Sequence, residues 1–239
     1  MAAEPLEINI DRRSGRSTHS GFGLIQPHYN KMQIIDISRT LSNDLAPWPG
    51  DTPFHYELKW KIADGATVNV GAVEMGVHNG THTDAVFHFD PKGATIERAE
   101  LSVFFGPAIV ADVQNSATIN VVDLERFEAV LKNAPRLLLK TGGWLDPKNF
   151  PQNIPTIARD VVPWLQARGV ILLGLDVPSV DAIDSKDLPN HHALAAARIA
   201  IVESLDLSTV EEGQYHFAAL PLRIAGGDAA PVRAVLWRE

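Results

Sequence analysis

The chain has 239 residues, 45% of them hydrophobic and 21% charged, with a net charge of -8 and no cysteine. That suits one domain with a sizeable core, and the acidic balance argues against a nucleic-acid backbone or an anionic membrane surface as partner. Without cysteine there is no disulfide framework and no thiolate, so any metal must be held by nitrogen and oxygen, and a reducing cytoplasm fits these properties.

Residues 1–31 read as an N-terminal extension to a domain spanning 32–239. They hold Arg12, Arg13, Arg16 and only short apolar pieces, without the apolar core of a secretory signal. A flexible tail and an arm laid on a partner subunit are the two readings. His19 and His28 receive no chemistry. No apolar run along the chain is long enough to span a bilayer.

The compact pattern begins with a strand at Met32–Ser38. Ala46-Pro47-Trp48-Pro49-Gly50-Asp51 is a rigid loop, and Trp48 on it could wall a flat aromatic ligand or pack on the core edge. Phe54–Ile62 and Val68–Val77 read as strands joined at Asp64-Gly65, with Tyr56, Leu58, Trp60 and Ile62 on one face. The second strand leads to His78.

His78-Asn79-Gly80-Thr81-His82-Thr83-Asp84-Ala85-Val86-Phe87-His88 follows. Three histidines and a carboxylate fall within eleven residues, at steps of four, two and four. Imidazole with carboxylate is what a divalent ion takes when no thiolate is available. Gly80 argues for a tight bend rather than a helix. His78, His82 and Asp84 could bind one ion and leave room for water. Asp84 could bridge to a second, with ligands drawn from His191, His192 and Glu203. His88 could be a ligand or move protons. The bland alternative is a set of unrelated histidines, with Glu203 an exposed charge at a strand end.

Beyond Gly106-Pro107, helices and strands alternate. A strand at Ala108–Val113 leads to a helix over Val121–Asn133 with Leu124, Phe127, Val130 and Leu131 inward. Arg136–Lys140 is a strand. Ala158–Arg168 is a helix with Pro163 in its first turn. Val170–Val177 is a buried strand of the parallel kind. Asn190 is placed to cap a helix over His191–Arg198. Ile199–Val202 is a strand leading to Glu203. Ser208-Thr209-Val210-Glu211 has capping-box spacing, and Tyr215–Ile224 and Val232–Trp237 form a final strand pair. The fold class is α/β, a mixed sheet curled into a partial barrel. His55 and His216 have no neighbours that suggest chemistry. There is no G-x-S-x-G, no phosphate loop, no G-x-G-x-x-G and no H-E-x-x-H. A serine-histidine-aspartate triad assembled across the fold stays open.

The run from His78 to His88 resembles the H-x-G-T-H-x-D-x-P-x-H signature of the metal-dependent cyclase-like hydrolases. Ile35-Asp36-Ile37-Ser38, Trp48–Phe54, Val68–Gly71, Gly174–Asp181, Ser185–His192 and Leu220–Arg223 resemble the kynurenine formamidase (arylformamidase) branch. The resemblance runs from about Met32 to the C-terminus. It implies a swivelling β/β/α fold, a homodimer and two divalent ions, zinc first, with manganese or cobalt also acceptable. It places His78, His82 and Asp84 on one ion and His191 on the second, with Asp84 bridging and Glu203 touching both. It gives His88 proton transfer and Trp48 a substrate contact. The implied reaction is hydrolysis of N-formyl-L-kynurenine to L-kynurenine and formate by metal-activated water. The alternatives are ring-opening of a cyclic amide such as isatin, or a metal- or ligand-binding protein without turnover. Val86 stands where the signature has proline, which could loosen the bend between Asp84 and His88.

Overall fold

In chain order, the computed structural model, which describes residues 33–114 and 116–238, places β1 (Ile34–Asp36), β2 (His55–Trp60), β3 (Val70–Glu74), β4 (His82–Asp84), β5 (Phe105–Asp112), β6 (Thr118–Ile119) and α1 (Val121–Leu124). Then come α2 (Glu128–Leu131), β7 (Arg136–Lys140), β8 (Thr156–Ile157), α3 (Val161–Ala167), β9 (Leu172–Leu175), α4 (Pro189–Ala196), β10 (Ala200–Glu203), β11 (Gly213–Ala218), β12 (Ala229–Pro231) and β13 (Val235–Trp237). The extension expected over residues 1–31, with His19 and His28, lies outside the described residues.

Nine strands form one mixed sheet in the order β1-β13-β11-β5-β7-β9-β10-β4-β12. Its middle, β5-β7-β9-β10, is parallel, and the flanking pairs are antiparallel. Leu137-Leu138-Leu139 and Leu172-Leu173 are fully buried, because a parallel middle is covered on both faces. Alternation divides the core. Ile109, Ala111, Leu137, Leu139, Leu173 and Leu175 face the helices with Leu124, Leu131, Leu165 and Leu194. Ala108, Val110, Leu138 and Leu172 face the other way and pack with Ile37, Leu205, Phe217 and Leu236. Helices cover one face, and the antiparallel wing curls over the other.

The structure shifts several expectations. The Asp64-Gly65 turn is present, with Gly65 at φ +91°. The hairpin β2-β3 forms as expected but stands apart from the main sheet, and Tyr56, Trp60 and Ile62 on it are exposed. Alternation names a shared face but not what covers it. The helix over 121–133 is broken by a 3-10 turn at Glu125–Phe127, where Arg126 donates to the Asp112 carbonyl at 2.7 Å. Leu124, Phe127 and Leu131 still point inward. Asn190 is not a cap. Pro189 takes the first helical position, which suits its fixed φ, and the Asn190 side chain donates to Ile157 O and Val180 O. The last strand pair is β11 with β13, and β12 turns back to β4 instead.

Candidate metal centre and cavity

β4 is three residues long, but pairing fixes it on both sides. Glu203 of β10 stands opposite His82, and Ala229 of β12 stands opposite Asp84. Alternation sends His82 and Asp84 to one face, and the register sets Glu203 beside His82. Thr81 and Thr83 turn away and donate to Ser204 O and Ile201 O. Gly80 enters the strand at φ +67°, where a Cβ would lie 2.7 Å from Leu41 Cδ2, so both conformation and space ask for glycine. His78 stands in the turn before it.

His191 lies in the first turn of α4. Leu188, with φ 44°, precedes that helix, and Ser204, with φ 59°, follows Glu203. These non-glycine residues in the left-handed region flank the elements that carry His191 and Glu203. Such positions gather at functional sites.

The structure brings all five candidate ligands together. His78 Nδ1 is 3.2 Å from Asp84 Oδ1, and His82 Nε2 is 3.4 Å from that oxygen and 3.5 Å from Glu203 Oε2. His191 Nε2 is 3.5 Å from Asp84 Oδ2 and 3.7 Å from Glu203 Oε1. His78, His82 and Asp84 form one group, and Asp84, His191 and Glu203 form another, each with donor atoms within 4.8 Å of one another. Asp84 belongs to both.

These close approaches are not hydrogen bonds. His82 Nε2 and both Asp84 carboxylate oxygens are buried without a hydrogen-bond partner. Buried polar atoms rarely stay unpaired. Four ligands bound at ~2.1 Å around a tetrahedral ion stand ~3.4 Å apart, which matches the spacing seen. The donor set, nitrogen and oxygen from imidazole and carboxylate, fits a divalent ion.

The electrostatics agree. Burial pushes the His82 imidazole down, but Asp84 and Glu203 outweigh it and hold its pKa at about 10. His191 is likewise driven to about 10 against its burial, first by Asp181 and then by Asp84 and Glu203. Burial would raise the Asp84 carboxyl, yet His191, His78 and His82 hold it well below the usual range. The centre favours positive charge, supplied here by imidazolium and replaceable by a cation that displaces those protons. His88 differs: burial, with help from His78 and His191, lowers it despite Asp84 and Asp228.

Two carboxylates escaped the sequence reading. Asp181 accepts His191 Nδ1–H at 2.7 Å and the backbone N–H groups of Asn190 and His191. Asp228 lies 2.9 Å from His78 Nε2. His82 Nδ1 donates to Gly80 O at 2.9 Å. Each of the three histidines is thereby held by its far nitrogen, as outer partners of metal-bound histidines do. Neither aspartate sits at a telling spacing from its histidine, so only the fold reveals them. His192 is not part of the centre. It is exposed and meets Phe89 edge-on at 5.3 Å, because neighbours on a helix point about 100° apart.

Glu203 is 3% exposed and accepts from Val180 N–H at 2.9 Å, which removes the reading of an exposed strand-end charge. His88 sits on a 3-10 turn, Val86–His88. That turn is held by His88 N–H to Ala85 O and Phe89 N–H to Val86 O. Neither bond uses the Val86 N–H, so valine serves where proline was expected and the bend is kept.

The centre floors a cavity of about 400 Å³ that also holds Trp48, Trp144 and Phe150. Trp48 meets Phe150 edge to face at 5.2 Å, and Phe150 lies 5.9 Å from Trp144. Trp48 is therefore on the cavity wall. Phe150 and Trp144 join it from a loop in which nothing in the sequence marked them.

Comparison with known proteins follows the same line. Residues 35–182 match the model of the family described as "Putative cyclase". The kynurenine formamidase of Bacillus thuringiensis (strain Al Hakam) is 45% identical over 202 residues, which is 84% of this chain and 96% of that protein. That of Geobacillus thermodenitrificans (strain NG80-2) is 44% identical with the same coverage. A solved "potential metal-dependent hydrolase with cyclase activity" is 25% identical, with a TM-score of 0.72 over 87% of this chain and 100% of that one. Isatin hydrolase A from Ralstonia solanacearum shares the fold at 23% identity, with a TM-score of 0.73 over 87% of this chain and 92% of its own.

Proposed function

The chain belongs to the cyclase family, among the kynurenine formamidases, and from that premise we propose that its cavity hydrolyses N-formyl-L-kynurenine to L-kynurenine and formate at a divalent metal centre. The observation that carries the reading is the trio of buried, unpartnered ligand atoms, His82 Nε2 and both Asp84 oxygens. His78, His82 and Asp84 would hold one ion, and Asp84, His191 and Glu203 a second. Zinc is the first choice, and manganese and cobalt accept the same ligands.

A divalent ion so placed supplies Lewis acidity and makes a water at its side a better nucleophile near neutral pH. The chain's own groups do the rest. Trp48, with Phe150 and Trp144 behind it, walls the aromatic ring and aims the formamide at the floor. His88 accepts the proton from the water that attacks the formyl carbon. It returns that proton to the aniline nitrogen as the C–N bond breaks, which releases formate and kynurenine. Truncating Trp48 to alanine is expected to raise KM about fivefold with kcat little changed, since an aromatic contact of this kind is worth ~1 kcal/mol. Steady-state kinetics checks it.

A homodimer and a cytoplasmic setting belong to the same proposal. Trp60 and Val73, 61% and 58% exposed on the free-standing β2-β3 hairpin, support the first, because a lone two-stranded hairpin is marginal in water. The absence of cysteine supports the second. No helix among the described residues is long and apolar enough to cross a membrane.

Formate release from N-formylkynurenine, with and without a chelator and with isatin assayed alongside, tests the function. The reading predicts release that the chelator stops and zinc restores. Turnover that ignores the chelator, or turnover of isatin alone, would overturn it.

A further inference from the structure

Asp228 lies 144 positions from Asp84 along the chain (228 − 84). Sheet pairing nevertheless brings it to the centre. β12 begins at the next residue and is in register with β4, with Ala229 opposite Asp84. The Asp228 carbonyl accepts Ala85 N–H at 2.8 Å. The backbone of Asp228 is thus pinned at the end of the strand that carries His82 and Asp84.

Its carboxylate reaches two rings at once. Asp228 Oδ2 is 2.9 Å from His78 Nε2 and 3.4 Å from His88 Nδ1. The two imidazoles themselves lie with centroids 4.1 Å apart. All three side chains place a donor atom within 4.8 Å of the others. One acceptor therefore serves the histidine nearest Asp84 and the histidine of the neighbouring turn.

Resting on the function proposed above, we propose that Asp228 is a positioning residue that couples the metal centre to proton transfer. Towards His78, it accepts the Nε2 proton and leaves Nδ1, the nitrogen facing Asp84, as the lone-pair atom offered to an ion. An outer carboxylate of this kind fixes tautomer and ring orientation and raises ligand basicity. Towards His88, it accepts the Nδ1 proton and leaves Nε2 as the base that takes a proton from water. The logic is that of a carboxylate orienting a catalytic imidazole, where the amide replacement fails by favouring the wrong tautomer. Asp181 does the first of these jobs for His191. Asp228 does both, and its side chain, 42% exposed, stands on the cavity wall.

The test compares wild type with Asp228→Asn and Asp228→Glu. Zinc affinity is measured first, by competition with a chelating dye and without substrate. Asp228→Asn is expected to weaken it ten- to a hundredfold, about the usual effect of removing an outer partner, and Asp228→Glu to recover most of the loss. Nitrogen-15 spectra of the zinc-loaded imidazoles come second. They are expected to show His88 as the Nδ1–H tautomer in wild type and as a mixture in Asp228→Asn. In zinc-saturated kinetics, Asp228→Asn is expected to lower kcat by about ten- to a hundredfold with KM nearly unchanged.

The proposal is overturned if Asp228→Asn holds zinc as tightly as wild type and leaves the His88 tautomer alone. It is equally overturned if the saturated variant loses only KM, which would make Asp228 a substrate contact. Thermal melts of the three proteins show whether they are equally folded, and the glutamate variant separates lost charge from lost structure. Wild type that released no formate would defeat the function proposed above. The zinc titration and the tautomer spectra would still decide the role of Asp228.

Discussion

Replacing Asp84 by asparagine is expected to cut formate release on the order of a thousandfold or more and to leave the purified chain without its metal. Asp84 is the one side chain shared by both ligand groups, so neither ion keeps a full set without it. The several kcal/mol of transition-state stabilisation that a Lewis acid supplies would go with it. Metal analysis of the variant, with the assay repeated in excess zinc, checks the expectation. An Asp84→Asn protein that kept two ions and its turnover would show that the carboxylate does not bridge them.

The second large effect separates proton transfer from metal binding. His88→Ala is expected to keep its metal and to lose about a hundred- to ten-thousandfold in kcat, the usual worth of a positioned acid-base group. The side chain is a third exposed and sits on the cavity wall, so its removal leaves no buried hole. The contrast with Asp84→Asn is the informative result. One variant loses metal and turnover together, and the other loses turnover alone. Metal content, kcat and melting temperature measured on both variants decide it, and an active His88→Ala protein would take the proton-transfer role away from His88.

How far the sequence could be read follows from what each signal depends on. The ligand set from His78 to Asp84 was legible because it is local. A strand with period two puts His82 and Asp84 on one face, and the bend at Gly80 brings His78 beside them. Glu203 was half legible. Four apolar residues before it marked a strand, but burial of its carboxylate depends on β4 pairing with β10. Asp181 and Asp228 were not legible, since each meets its histidine through contacts that no spacing encodes. Trp48 was flagged by its two prolines, whereas Phe150, which packs against it, lies in a loop with no pattern. In the fold, the buried strands Arg136–Lys140 and Leu172–Leu175 read well because burial on both faces writes itself as a continuous apolar run. The hairpin about Asp64-Gly65 was legible as two alternating strands, but the pattern does not say what covers its apolar face, which is exposed.

Crystals grown with zinc and recorded at the zinc absorption edge would test the central claim most directly. The account predicts two anomalous peaks per chain, ~3.5–4 Å apart as in bridged pairs. One should lie among His78, His82 and Asp84, and the other among Asp84, His191 and Glu203. Fully loaded crystals with no peak in contact with His82 Nε2 and Asp84 would contradict it.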